Sequence, residues 1–150
     1  MLPESKLIRS ELNLRELALP HEILLAKKSM IRWLALALGM IMPNESRKLL
    51  LDVLEVLVDF HLKNETPTTK DIISKIQENT KSEQNPKAIY YHLLRLKTIG
   101  LINRKKGRYY LSDENNKKLK DLFRDFYLKK IDAAFSNITV VLEKLENSRV

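Results

Sequence analysis

The side chains most able to do chemistry in this sequence are arginines and lysines, and they are unevenly placed. Between Lys81 and Leu111 stand Lys81, Lys87, Arg95, Lys97, Arg104, Lys105, Lys106 and Arg108 against the single acid Glu83, a net of +7 where the whole 150-residue chain carries +8. A soluble surface spreads both signs, whereas cations gathered on one stretch are the footprint of a polyanion-binding surface. The chemistry on offer is recognition of phosphate by charge and hydrogen bond, with an incidental basic turn as the alternative. Catalysis finds no foothold. There is no glycine-rich phosphate loop, no H-E-x-x-H, no G-x-S-x-G and no cysteine. The acids stand beside lysines on amphipathic stretches, as on solvated faces, so no catalytic residue and no cofactor is assigned. His21 and His61 have no partner at metal-binding spacing, which leaves no metal site. His92 reads as a hydrogen-bonded, half-buried structural histidine.

The elements that position these cations can be read from the same stretch. Asn85 is a good N-cap and Pro86 suits the first helical position, where a missing N–H costs nothing. Ile89, Leu93 and Leu96 form one apolar stripe, and Gly100 falls where a helix ends at positive φ. Leu101 and Ile102, the polar run Asn103 to Arg108 with Gly107, and Tyr109 to Leu111 read as two short strands around a tight basic turn. Upstream, Asn44 is expected to cap a helix over Leu49, Leu50, Val53, Leu54, Leu57 and Phe60 to about Leu62, helped by Glu45 in the first turn. Thr68 with Asp71 approximates a capping box for a short helix burying Ile72, Ile73 and Ile76.

His92, Leu93, Leu96, Gly100, Leu101 and Ile102 match the pattern H-L-x-x-L-x-x-x-G-L-I that precedes a basic hairpin in winged helix-turn-helix DNA-binding domains. From Asn44 to Leu111 the chain resembles that family, and its general look is similar to prokaryotic and archaeal transcriptional regulators. The linker ENTKSEQN is longer than the turn of the plain motif and resembles the looser winged forms. The resemblance implies a mainly α fold, a winged helix-turn-helix with a two-stranded β-wing and additional N- and C-terminal helices. It implies a sequence-specific duplex-DNA-binding regulator, with recognition helix 86–99 in the major groove and basic wing 103–108 on the backbone or minor groove. On a helical wheel the side opposite the apolar stripe carries Lys87, Tyr91 and Arg95, with Ala88 beside them. Arg95 can make a bidentate bond to guanine or pair with an acid such as Glu83. Tyr91 can stack, bond a phosphate or cover a dimer surface, and Ala88 can admit a thymine methyl. Arg104, Lys105, Lys106 and Arg108 would meet phosphates or the minor groove. Tyr90, Leu94 and Lys97 form a flank outside core and groove, and Leu94 is expected to be covered by a terminal helix.

The rest of the chain reads as support, in three segments: an N-terminal helical extension (1–43), the winged domain (44–111) and a long C-terminal helix (112–150). The absence of cysteine points to an intracellular, cytoplasmic protein. The longest apolar run, Trp33 to Met42, is too short for a membrane span, and the mixed-charge N-terminus does not resemble a signal peptide. Residues 1–19 suggest a short amphipathic helix or an arm packing on a partner. Pro20 is expected to open a helix running through Met42 that is apolar on all faces in its second half, and so buried inside the monomer or against a partner. Ser112, Asp113 and Glu114 are expected to start the final helix. In it Leu128, Ile131, Phe135, Ile138, Leu142 and Leu145 repeat at 3-4 spacing, a seam for homodimerisation or for packing against the Trp33 helix. The rival reading is a winged-helix module binding a protein partner through the Trp33 helix in a replication, segregation or transcription complex. A further rival is binding of structured RNA.

Overall fold

The structure is a computed structural model describing residues 1–45, 47–111 and 117–148. It is mainly helical with one small two-stranded antiparallel sheet. The chain divides into two compact units, Met1–Asn116 and Lys117–Val150. The expected helix start at Ser112, Asp113 and Glu114 lies outside the described residues.

In the first unit, α1 (Lys27–Ala37), α2 (Lys48–Leu62), α3 (Thr69–Thr80) and α4 (Pro86–Thr98) precede the hairpin of β1 (Ile102–Lys105) and β2 (Arg108–Leu111). The core is drawn from all of them: Leu50 and Leu54 of α2, Ile72 and Ile76 of α3, Ile89 and Leu93 of α4, and Leu101 and Ile102 at the hairpin are fully buried. α2 is central, packing against α1, α3, α4 and β2. Its run of buried residues from Val53 to Val58 covers more than one face, as a helix enclosed by neighbours requires.

The run expected to be one helix from Pro20 to Met42 is three pieces. A 3₁₀ turn, His21–Leu25, is separated by extended Ala26 from α1, and α1 stops at Ala37. The stop is a Schellman motif. Gly39 at φ +71° donates its N–H to the Leu36 carbonyl, and Met40 donates to Ala35. The apolar faces of α1 are covered partly by the chain's own N-terminal segment. That segment is a 3₁₀ turn, Pro3–Leu7, followed by an irregular arm rather than an amphipathic helix. The Trp33 indole N–H donates to the Ala18 carbonyl at 2.9 Å. Arg15 donates from Nη1 to the Leu36 and Ile41 carbonyls and from its backbone to Ala37. A cation there meets the unsatisfied carbonyls and negative pole of a helix C-terminus.

Asn44 does not cap α2. It lies in a turn, and the helix begins at Lys48 after Arg47, which makes no side-chain cap bond. Glu45 instead pairs with Arg47 at 2.6 Å. The capping box of α3 is complete: Asp71 N–H donates to Thr68 Oγ1, and Thr68 N–H donates to Asp71 Oδ2. These bonds hold the Asp71 carboxyl below the ordinary carboxylate range. Ile73 is half-buried while Ile72 and Ile76 are in the core, so the buried side is narrower than the sequence suggests. α3 runs on to Thr80, which reduces the connection to α4 to Lys81–Asn85.

The second unit is α5 (Leu119–Glu146), with Lys117 bonded to Asp125 near its start.

Candidate nucleic-acid interface

α4 is built as its sequence directs. The Asn85 side chain accepts from the Lys87 amide, Pro86 opens the first turn, and Gly100 at φ +90° ends a second Schellman motif. In that motif Gly100 donates to the Lys97 carbonyl and Leu101 to Leu96, and both leucines are buried. The buried stripe Ile89, Leu93 and Leu96 therefore fixes which side chains point outward.

Those outward side chains differ in part from the sequence-based set. Lys87 and Tyr91 are exposed, Tyr91 by 58%. Ala88 and Arg95 are half-buried at the edge of the face, and Arg95 Nη1 is enclosed without a partner among the described residues. Leu94, expected to be covered, is 62% exposed and stands on the open face with Tyr90 and Lys97. The outer face of α4 is thus Lys87, Tyr90, Tyr91, Leu94 and Lys97, more aromatic and apolar than anticipated. The signal for this was present in the wheel itself, since Leu94 lies between Lys87 and Tyr90 in projection.

The hairpin is tighter than expected, and most of the basic residues lie in its strands. Lys105 pairs with Arg108, leaving only Lys106 (φ +52°) and Gly107 (φ +77°) as the turn. Two successive left-handed residues make a type I′ turn, whose twist matches that of the strands. Lys105 and Lys106 are exposed and make no ion pair or hydrogen bond among the described residues. Arg104 lies 5.4 Å from the centroid of Tyr109, a cation–π contact. Arg108 Nη1 donates to the Thr66 carbonyl at 2.8 Å, Thr68 bridges Arg108, and the Tyr109 N–H donates to Pro67. The segment before α3 therefore adds a short third edge to the hairpin, and Arg108 is part of that joint.

Beside α4 a cleft of about 570 Å³ is lined by Arg47, Lys48, Asp52, Gln84, Tyr91 and His92. Burial, with Arg47 and Arg95 nearby, holds His92 below the ordinary histidine value, and its Nδ1 is enclosed without a partner among the described residues. Burial raises the Asp52 carboxyl against the opposing pull of Lys28 and Lys48. Sequence reading missed this wall because Arg47 and Lys48 lie outside the basic stretch. Among the described residues no cluster of His, Asp or Glu could hold a metal.

On α5 the seam residues Leu128, Phe135, Ile138, Leu142 and Leu145 are exposed, and Ile131 is half-buried. Val140 and Val141 are exposed beside them. No helix among the described residues is long and apolar enough to cross a membrane. Neither family models, nor curated proteins, nor solved structures yield a match to this chain.

Proposed function

We propose that this chain is a winged helix-turn-helix regulator that binds duplex DNA as a homodimer, with α4 in the major groove and the β1–β2 hairpin as its wing. The observation that carries the reading is the pairing of one helix and one hairpin that together hold nearly all of the net charge, with Lys87, Lys105 and Lys106 exposed on them. The element order α2–α3–α4–β1–β2, with the Pro67–Thr68 segment joined to β2, supports the winged form. On this reading Lys87 and the hairpin lysines neutralise phosphates, while Tyr91 and Leu94 present apolar area to base edges and thymine methyls.

The test is fluorescence anisotropy of a labelled duplex titrated across a salt series, with a Lys87→Ala/Lys105→Ala/Lys106→Ala variant alongside. Binding should weaken steeply with salt, and the variant's log–log slope should be shallower by up to about three, one unit per lost phosphate contact. A folded protein that ignores duplex at low salt ends the proposal. A structured RNA hairpin in the same titration separates the RNA alternative.

A second reading, a protein-interaction module, draws on a different surface than the sequence suggested. The Trp33 helix is partly covered by the N-terminal arm, and it is the arm that exposes Leu7, Ile8 and Leu14.

A further inference from the structure

We propose that α5 pairs with α5 of a second copy in antiparallel orientation, about a two-fold axis passing between Ser136 and Asn137. The inference builds on the proposed homodimer and adds the direction and register of the pairing, which the seam alone leaves open.

The seam assigns Leu128, Phe135 and Leu142 to heptad position a, and Ile131, Ile138 and Leu145 to d. The flanks then differ. Position g holds Tyr127, Ala134 and Val141, whereas e holds Asp125, Asp132, Thr139 and Glu146. In a parallel pair each g faces an e of the partner, so Val141 would lie against Glu146 and Tyr127 against Asp132. In an antiparallel pair g faces g and e faces e, which sets Ala134 against Val141 and leaves the acidic edge in water. The acids brought closest are Asp125 and Glu146 at the outer ends, and Asp125 is already bonded to Lys117. The core positions agree, since parallel dimers favour β-branched residues at a and leucine at d, the reverse of what Leu128, Leu142, Ile131 and Ile138 provide.

The register follows from the same residues. About an axis between Ser136 and Asn137, Leu128 meets the second copy's Leu145, Ile131 meets its Leu142, and Phe135 meets its Ile138. Every seam residue then has a partner, and a slip of one heptad in either direction strands residues at both ends. An antiparallel pair also starts its two α5 helices about 50 Å apart along the axis, where a parallel pair starts them side by side.

The chain contains no cysteine, so two single-cysteine variants, Leu128→Cys and Leu145→Cys, give a clean test. Both positions are exposed, and the substitutions leave the core of the first unit untouched. The two full-length variants, one carrying a mass tag, are mixed, oxidised mildly and separated without reductant, and the parent chain is weighed by sedimentation equilibrium. Because a disulfide needs closely apposed Cα atoms, the mixed 128–145 product should exceed either self-linked product by about tenfold. Predominance of self-linked 128–128 and 145–145 products would overturn the antiparallel pairing and leave the homodimer standing. A single-chain mass with no cross-link at all would overturn both. Neither result bears on duplex binding, which the anisotropy titration measures separately.

Discussion

Arg108 and Lys106 are two residues apart on one hairpin and carry the same charge, yet they stand in different surroundings. Arg108 reaches back to the Thr66 carbonyl and sits in the bridge to Thr68, so removing its side chain loosens the joint between the hairpin and α3. Arg108→Ala should cost about 1 kcal/mol in a denaturant melt, the scale of one exposed charge-assisted bond to a carbonyl. Lys106 has no such anchor, and Lys106→Ala should leave the midpoint within about 0.5 kcal/mol while reducing the salt slope for duplex by about one. Equal effects of the two on stability would remove the structural role given to Arg108. His92 makes a prediction of a different kind. Its value is held below 6.5 by burial, then by Arg47 and Arg95, so the unfolded chain takes up its proton first as pH falls. The neutral imidazole therefore contributes stability above pH 6.5 that is lost as pH drops toward its folded value. The melting temperature of the parent should fall across that interval more steeply than that of His92→Gln, and parallel curves would deny His92 that part.

At the scale of elements, glycines mark the difference between what could be read in advance and what could not. Gly100 was legible because an apolar stripe ends just before it and a hairpin begins just after. Gly39 has the same left-handed conformation, but it lies inside a run of apolar residues whose periodicity continues across it, so pattern alone carries the helix through to Met42. What decides the matter is tertiary: the arm passes so close that a Cβ on Gly39 would stand 2.1 Å from the Asn13 carbonyl oxygen. Gly39→Ala should therefore cost about 3 kcal/mol, combining left-handed strain with displacement of the arm that carries Arg15. Gly107→Ala, with nothing within 4 Å of the added carbon, should cost only the strain, about 1–2 kcal/mol. Thermal melts of the two variants rank them directly, and a Gly39→Ala chain no less stable than Gly107→Ala would contradict the close approach. Capping shows the same division. Thr68 and Asp71 form a local box that sequence spacing identifies, and Thr68→Ala should cost about 1 kcal/mol. Asn44 had the right chemistry for a cap, but α2 begins only at Lys48, beyond the reach of its side chain.

For the whole molecule, the concentration of charge and the apolar seam were both legible, since each is a property of residue type and spacing. The outward set on α4 was only partly so, because Leu94 was assigned to a covering element that does not cover it. What meets an exposed seam is beyond any single chain's pattern, and this is where the two proposals join. If α5 pairs two copies, a duplex with two half-sites binds both α4 helices at once, and the second contact is made at high effective concentration. Phe135 is central to the seam and 52% exposed within its own chain, so Phe135→Asp should leave the fold intact and place a charge in the paired interface. The variant should sediment as a single chain. Its affinity for a two-half-site duplex should fall by about 100-fold through loss of bivalence. Its salt slope should drop to about half the parent's, because each complex then neutralises half as many phosphates. A single-chain variant that retained the parent's slope would mean that one copy makes all the phosphate contacts, and that α5 pairing, whatever its direction, has no part in binding DNA.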